Sequence, residues 1–261
     1  MASDEVVLGG VSVELVHLGS LYHDDVIDEA EVRRTVPSVN ARWGNLRAIL
    51  AGDFLLARAS EIAASLGVEV AALLARTISD LCVGQISELR TTFDPGRTED
   101  AYLHSITGKT ASLFSAAGRI GALVTPLERP AVDALTAHGL AYGMVFQLVD
   151  DVLDLTATDA QLGKPSGHDM VEGVYTLPVI ATLSAGGPAA DTLGDLLGKP
   201  LSGAELDKAL SIVRSGPGVA VAIASARRFA DDASAALVPL GDGPAVAALA
   251  AAPHALIDAL G

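Results

Sequence analysis

Positive charge, aromatic rings and sulfur are all scarce in this 261-residue chain, and each scarcity narrows what the protein can be. Lys and Arg number 17 against 32 Asp and Glu, a formal net charge of −15. Nucleic acid and anionic membrane surfaces both need a basic patch, so neither is expected as a main partner, and the few cations must act locally. The single cysteine, Cys82, excludes an internal disulfide, fits a reducing compartment, and is expected to be core packing. Aromatic residues are 4% of the chain while hydrophobic residues are 50%, with Ala, Leu and Val dominant. Such a composition packs as close aliphatic helices around one large core. Strand-like alternation is also scarce. The start, Met1-Ala2-Ser3-Asp4-Glu5, lacks the basic and apolar regions of a secretion signal. Charged or turn residues interrupt every apolar run, so no membrane-spanning segment is expected, and the chain reads as a soluble, cytoplasmic protein.

What is present is a repeated acidic motif. Asp24-Asp25-Val26-Ile27-Asp28 and Asp150-Asp151-Val152-Leu153-Asp154 share one carboxylate spacing. A helix turns once in about 3.6 residues, so Asp24 and Asp28 project from one face, as do Asp150 and Asp154. His17 lies two turns before Asp24 on its stripe, and Gln147 two turns before Asp154 on the other. Both stripes cut through apolar helices, with Val13, Leu15, Val16, Leu18 and Leu21 before the first and Met144, Val145, Phe146, Leu148 and Val149 around the second. One such motif alone is an acidic helix face in water. Two copies in apolar flanks face a cavity. Carboxylates gathered at low dielectric must take up protons or find cations. Mg2+ is the usual answer, held by one or two carboxylates and by the phosphates of a substrate. Two facing stripes are a diphosphate clamp in outline.

Taken in order, the first helix is expected from about Asp4 to Asp28. Arg33-Arg34-Thr35 follows, a pair of guanidiniums able to fork onto phosphate oxygens, and Pro37 to Asn40 reads as a turn. Helix resumes from about Asn45 to Leu66, where Ile49, Leu50, Phe54, Leu55 and Ile62 define a core face, and Gly67 ends it. Another helix spans about Val68 to Arg90. Thr98-Glu99-Asp100 starts a third, and Gly108-Lys109-Thr110 interrupts its middle. Glycine costs a helix about 1 kcal/mol relative to alanine, so a lysine beside it invites a functional reason. Helix from about Glu128 to Leu155 carries the second stripe. Gly163 to Asp169 is too rich in Gly and Pro for helix and is placed to fold back over the site, bringing Lys164. Tyr175 to Pro178 opens the next helix. Beyond Ala185 come Ala-rich short helices, punctuated at Gly187-Pro188, Gly216-Pro217 and Gly243-Pro244, with no catalytic signature.

These residues together resemble the trans-isoprenyl diphosphate synthases, the polyprenyl synthetase family, from Val13 to about Leu177. The resemblance implies a single all-α domain over residues 1–261 with the isoprenoid synthase fold, helices around a central cavity and two Asp-rich helices facing across it. It implies that Asp24, Asp28 and Asp150 hold three Mg2+ against an allylic diphosphate, with Asp25, Asp151 and Asp154 in support. Arg33, Lys109 and Lys164 would bind that diphosphate. Thr110 and Gln147 would set oxygen dipoles near the allylic cation, and His17 and Arg34 would bind isopentenyl diphosphate. Lys109, Thr110, Gln147 and Lys164 are thus the implied catalytic groups. Homodimerisation follows from the family, with at most transient membrane contact for product release. Ser20 and Gly19, four and five residues before the first Asp, fall where the family forms the floor of its product tunnel. Both are small, which implies an open tunnel and a product longer than farnesyl diphosphate, and Gly19→Phe is then expected to shorten it.

One departure stands out. The Gly-Lys-Arg motif that the family carries upstream of its first Asp helix has no counterpart here, so the chain reads as shortened at its front. Two other readings therefore stand beside the transferase. One is a terpene-synthase-like lyase that ionises a single allylic diphosphate. The other is a non-catalytic subunit of a synthase complex.

Overall fold

The computed structural model describes residues 3–33, 36–157 and 166–260, and almost all of what it describes is helix. Ser3 caps the first helix, α1 (Asp4–Ile27), by accepting from the Val6 amide, and Asp4 and Glu5 complement its N-terminal dipole. Glu29 turns the chain in the left-handed region at φ 50°. Where a turn was expected at Pro37 to Asn40, the chain instead makes a two-stranded hairpin, β1 (Val32–Arg33) with β2 (Val36–Pro37), and then a short helix, α2 (Val39–Trp43). Ser38 is the reason. Its hydroxyl caps α2 at Ala41 and donates to the Ala30 carbonyl, so turn-prone residues start a helix.

The long helices α3 (Asn45–Ser65) and α4 (Val68–Leu89) follow, separated by Leu66 and Gly67. α3 packs on α1 through its small residues: Ala48, Gly52, Ala59 and Ala63 are buried. A Cβ on Gly19 of α1 would stand 3.1 Å from the Gly52 carbonyl oxygen, so this pair of glycines sets how closely the two helices cross. The expected core face of α3 is therefore corrected. Leu50 is 58% and Phe54 64% exposed, and Ile49 is largely exposed, while Leu55 and Ile62 are only partly buried. The large apolar side chains sit opposite the stripe that actually packs.

Thr98 caps α5 (Glu99–Ile106). A five-residue π-helical turn, Thr107–Ala111, joins it to α6 (Ser112–Leu123). The longest helix, α7 (Arg129–Thr156), runs through the centre. Met144, Val145, Leu148, Val149 and Val152 pack there against Tyr102, Ile106, Leu177 and Ile180 and against the alanines 222, 226 and 230. Those partners belong to α5, α9 (Leu177–Ser184) and α12 (Gly218–Ala236). A four-residue helix, α8 (His168–Val171), begins where only loop was expected. The remainder is α10 (Pro188–Leu196), α11 (Gly203–Ser215) and α13 (Pro244–Asp258), and α10, α12 and α13 start at the three expected Gly-Pro breaks.

Two further expectations change. Cys82 is exposed on α4 rather than packed in a core. Asp4–Ile27 and Val68–Leu89 are each long and apolar enough, by length and composition, to cross a bilayer. Their charged residues lie near helix ends or are few enough that the apolar stretches dominate, which the run-by-run reading understated.

Candidate active site

Two helices present the carboxylate stripes, and a third supplies a group that neither stripe contains. On α1, Asp25 is buried, and Arg33 closes onto it from β1 at 2.8 Å through Nε and 2.5 Å through Nη2. That leaves Asp24, half-buried, and Asp28, at the exposed end of the helix, turned the other way. On α7, Asp150 is exposed while Asp151 and Asp154 are buried. Asp151 accepts from the Tyr102 hydroxyl at 2.5 Å and from the Gln147 amide at 2.8 Å. Asp154 accepts the backbone amide of Asp169 at 3.3 Å, which ties α7 to the start of α8.

The π turn explains the glycine inside the α5–α6 helix. A Cβ on Gly108 would lie 2.7 Å from the Asp80 carbonyl oxygen and 3.0 Å from the Gly84 Cα, so only glycine lets this turn lie directly on α4. The widened turn places two successive side chains usefully. Lys109 reaches Glu88 on α4, Nζ to Oε1 2.6 Å. Thr110 donates to the Gln147 carbonyl oxygen at 2.7 Å. Gln147 is therefore held at both ends, by Thr110 at its oxygen and by Asp151 at its nitrogen.

Charge in this region is crowded. Burial pushes the Asp24 carboxyl above its ordinary value against the pull of Lys109 and Arg33. Asp28 is raised to about 6, by burial first and then by Glu172, Asp24 and Glu88, with Lys109 opposing. Asp151 is raised to about 7 by burial, although its hydrogen bonds from Tyr102 and Gln147 pull the other way. Burial alone would lower Lys109, but Glu88, Asp24 and Asp28 around it leave it above the ordinary lysine value. Groups in this state favour arrival of further positive charge.

Metal chemistry fits these donors. Among the described residues no three His, Cys, Asp or Glu form a ready metal cluster. A hard cation that shares one or two carboxylates with substrate phosphates needs no such cluster. Carboxyls held above their normal values by burial and mutual repulsion are suited to it.

Beside the charges lies an apolar cavity of about 290 Å³, lined by Ser20, His23 and Ile27 of α1, Leu56 of α3 and Ile78, Leu81, Cys82, Gln85, Ile86 and Leu89 of α4, with Asp24 and Lys109 in the same wall. Ser20 lines this cavity. Gly19 does not: a side chain there would run into Gly52 and Leu56 of α3. Gly19→Phe would therefore disturb the α1–α3 crossing rather than plug a tunnel. His17 is partly buried two turns before Asp24, and among the described residues no hydrogen bond or ion pair joins its ring to the other site groups. Arg34 and Lys164 lie outside the described residues.

The sequence reading missed Glu88, Tyr102, Arg97 and Glu172. Arg97 is buried, donates to the Tyr175 carbonyl and the Ser105 hydroxyl, and sits over the Tyr102 ring at 5.5 Å. The available signals were slight. Glu88 falls one turn after Gly84 on an apolar helix, and Tyr102 is one of four tyrosines in an aromatic-poor chain.

Comparison with known proteins agrees with this geometry. The family profile described as Polyprenyl synthetase matches residues 3–213. The nonaprenyl diphosphate synthase of Mycobacterium tuberculosis is 42% identical over 94% of this chain and 74% of its own length. Component 2 of the heptaprenyl diphosphate synthase of Geobacillus stearothermophilus is 43% identical over 67% of this chain, which spans about half, 55%, of that protein. Among solved structures, the polyprenyl synthase from Caulobacter crescentus in complex with calcium and isoprenyl diphosphate superposes with a TM-score of 0.92, at 30% identity, over 98% of this chain and 79% of that one. The chain is therefore a member of the polyprenyl synthetase family, with that family's all-helical isoprenoid synthase fold.

Proposed function

We propose that the chain condenses isopentenyl diphosphate with an allylic diphosphate to make a longer trans-polyprenyl diphosphate, using Mg2+. Prenyl transfer is the reaction class of its family. The observation that carries the reading is the shared wall of the apolar cavity. Asp24 and Lys109, groups suited to a metal-bound diphosphate, line the same space as Ser20, Leu56, Ile78 and Ile86, groups suited to a hydrocarbon chain.

Asp24, Asp28 and Asp150 would hold the metal ions, three in number, with Asp25, Asp151 and Asp154 in support. Bound metal would neutralise charge developing on the leaving diphosphate. Lys109 and Arg33, with Lys164, bind that diphosphate from their side chains. As the carbon–oxygen bond ionises, the Thr110 and Gln147 oxygens face the allylic cation, and the apolar wall excludes water from it. The double bond of isopentenyl diphosphate, bound by His17 and Arg34, attacks the cation, and loss of a proton completes one elongation.

The enzyme would be cytoplasmic, with at most transient membrane contact through the apolar α1 and α4. The exposed large side chains of α3, Leu46 at 71% and Phe54 at 64%, support a homodimer.

The test is turnover of the purified chain with Mg2+, labelled isopentenyl diphosphate and farnesyl or geranylgeranyl diphosphate, with products sorted by length. A polyprenyl ladder is expected. Diphosphate release from the allylic substrate without incorporation of label would indicate a lyase instead, and neither activity would indicate a subunit needing a partner. Ser20→Phe should shorten the ladder, and an unchanged ladder would sink the long-chain reading.

A further inference from the structure

Glu88 stands apart from both acidic motifs, yet it occupies their space. It is buried on α4, 8% exposed, with Oε1 2.6 Å from Lys109 Nζ. Its partner Lys109 lines the same cavity wall as Asp24, so the ion pair borders the first stripe. The contact is built into the backbone. Gly84, one turn before Glu88, touches Gly108, one residue before Lys109, and no larger residue fits at that crossing. The helix joint and the ion pair thus form together.

A buried carboxylate is costly, and this site already holds six carboxylates, three of them buried. Lys109 is the reason for a seventh. Its ammonium carries three N–H donors and lies within the field of Asp24 and Asp28 as well as Glu88. Without Glu88, Asp24 in the same cavity wall is the carboxylate left for it to turn to. Lysine and metal would then compete for the same oxygens. A counter-ion on a third helix takes one donor, keeps the ammonium charged, and leaves the other donors directed at the cavity.

We propose that Glu88 is a positioning residue: it holds Lys109 off the metal-binding aspartates and aims its ammonium at the substrate diphosphate. This rests on the reading that Lys109 binds that diphosphate. Loss of the Glu88 charge should then damage two things at once, diphosphate binding and metal binding, and both through Lys109.

The experiment is a double-variant cycle of Glu88→Gln and Lys109→Met, with Glu88→Asp beside it, following kcat, KM for the allylic diphosphate and the Mg2+ concentration at half-maximal rate. Thermal melts accompany each variant to report folding. Lys109→Met alone reports on the underlying reading, and unchanged kinetics there would remove Lys109 from the site and the proposal with it. With Lys109 present, Glu88→Gln is expected to lower kcat/KM about tenfold and to raise the Mg2+ requirement severalfold. With Lys109→Met it should change either by less than about twofold. Glu88→Asp, which keeps the charge, should recover part of the loss, and it keeps the test open should Glu88→Gln not fold. An equal loss from Glu88→Gln with and without Lys109, as a direct metal ligand would give, overturns the proposal, as does no loss in either.

Discussion

The two aspartate motifs share one spacing and are used differently. In the α1 copy the middle carboxylate, Asp25, is buried against Arg33, while the last, Asp28, stands at the exposed end of the helix. In the α7 copy the first, Asp150, is exposed, and the other two are buried, Asp151 against Tyr102 and Gln147 and Asp154 against the Asp169 amide. Asp25, Asp151 and Asp154 are thus buried, while Asp24, Asp28 and Asp150 keep exposed surface. The lesson is that a repeated motif states which groups are close, whereas its neighbours decide which of them meet a ligand and which set the geometry.

Breaking the distinction directly gives the largest effect. Asp24→Ala or Asp150→Ala should reduce incorporation of labelled isopentenyl diphosphate about 10³-fold at saturating Mg2+, as loss of charge stabilisation at a reacting centre does. Asp25→Asn should cost about 10- to 100-fold, the usual range for a supporting group. Equal losses from Asp24 and Asp25 would erase the division.

Next comes the buried network on α7. Tyr102→Phe removes only the hydroxyl that donates to Asp151, leaving Gln147 less firmly held for Thr110. kcat should fall about tenfold with little change in KM for the diphosphates. A buried acceptor without its donor costs about 1–3 kcal/mol, which a shift in denaturant midpoint would read.

A subtler contrast lies in pH. Asp28 and Asp151 hold protons more tightly in the folded chain, at about 6 and about 7, than an unfolded aspartate near 3.8. The folded state therefore binds more protons across that window, so metal-free stability is full below about pH 4 on this account and declines as pH rises through 6 and 7. Asp151→Asn should flatten the upper part of the decline in melting temperature. Added Mg2+ should offset the contribution of Asp28 and leave that of Asp151, and equal sensitivity of both would blur the comparison.

The smallest effect on chemistry separates the two residues just upstream of the first stripe. Ser20→Phe should shorten products with stability nearly kept, because Ser20 borders the cavity. Gly19→Phe should lower stability by about 1–3 kcal/mol or more, because α3 backbone occupies the space.

Much of the fold was legible in local patterns. The boundaries of α1, α3, α4 and α7 follow from Ser3, Gly67 and the apolar periodicity that runs between such signals. The face of α3 was misread because periodicity ranks large apolar residues as buried, whereas Ala48, Gly52, Ala59 and Ala63 permit the close crossing with α1 and so take the core side. Of the site, the two stripes, Lys109, Thr110 and Gln147 were visible because glycine in a helix and acid in an apolar flank are local anomalies. Glu88 and Tyr102 were not, since a lone Glu or Tyr on a helix has no such mark.

The long helices, and which carboxylates share a face of each, follow from backbone hydrogen bonding and a 3.6-residue period alone. Tertiary structure alone decided that Glu88 would meet Lys109, that Tyr102 would hold Asp151, and that Gly19 would face a helix while Ser20 faces a cavity. Those outcomes depend on how closely Gly84 lies on Gly108 and Gly19 on Gly52. A distance between helices is set by packing across the fold, and no periodicity within one segment encodes it.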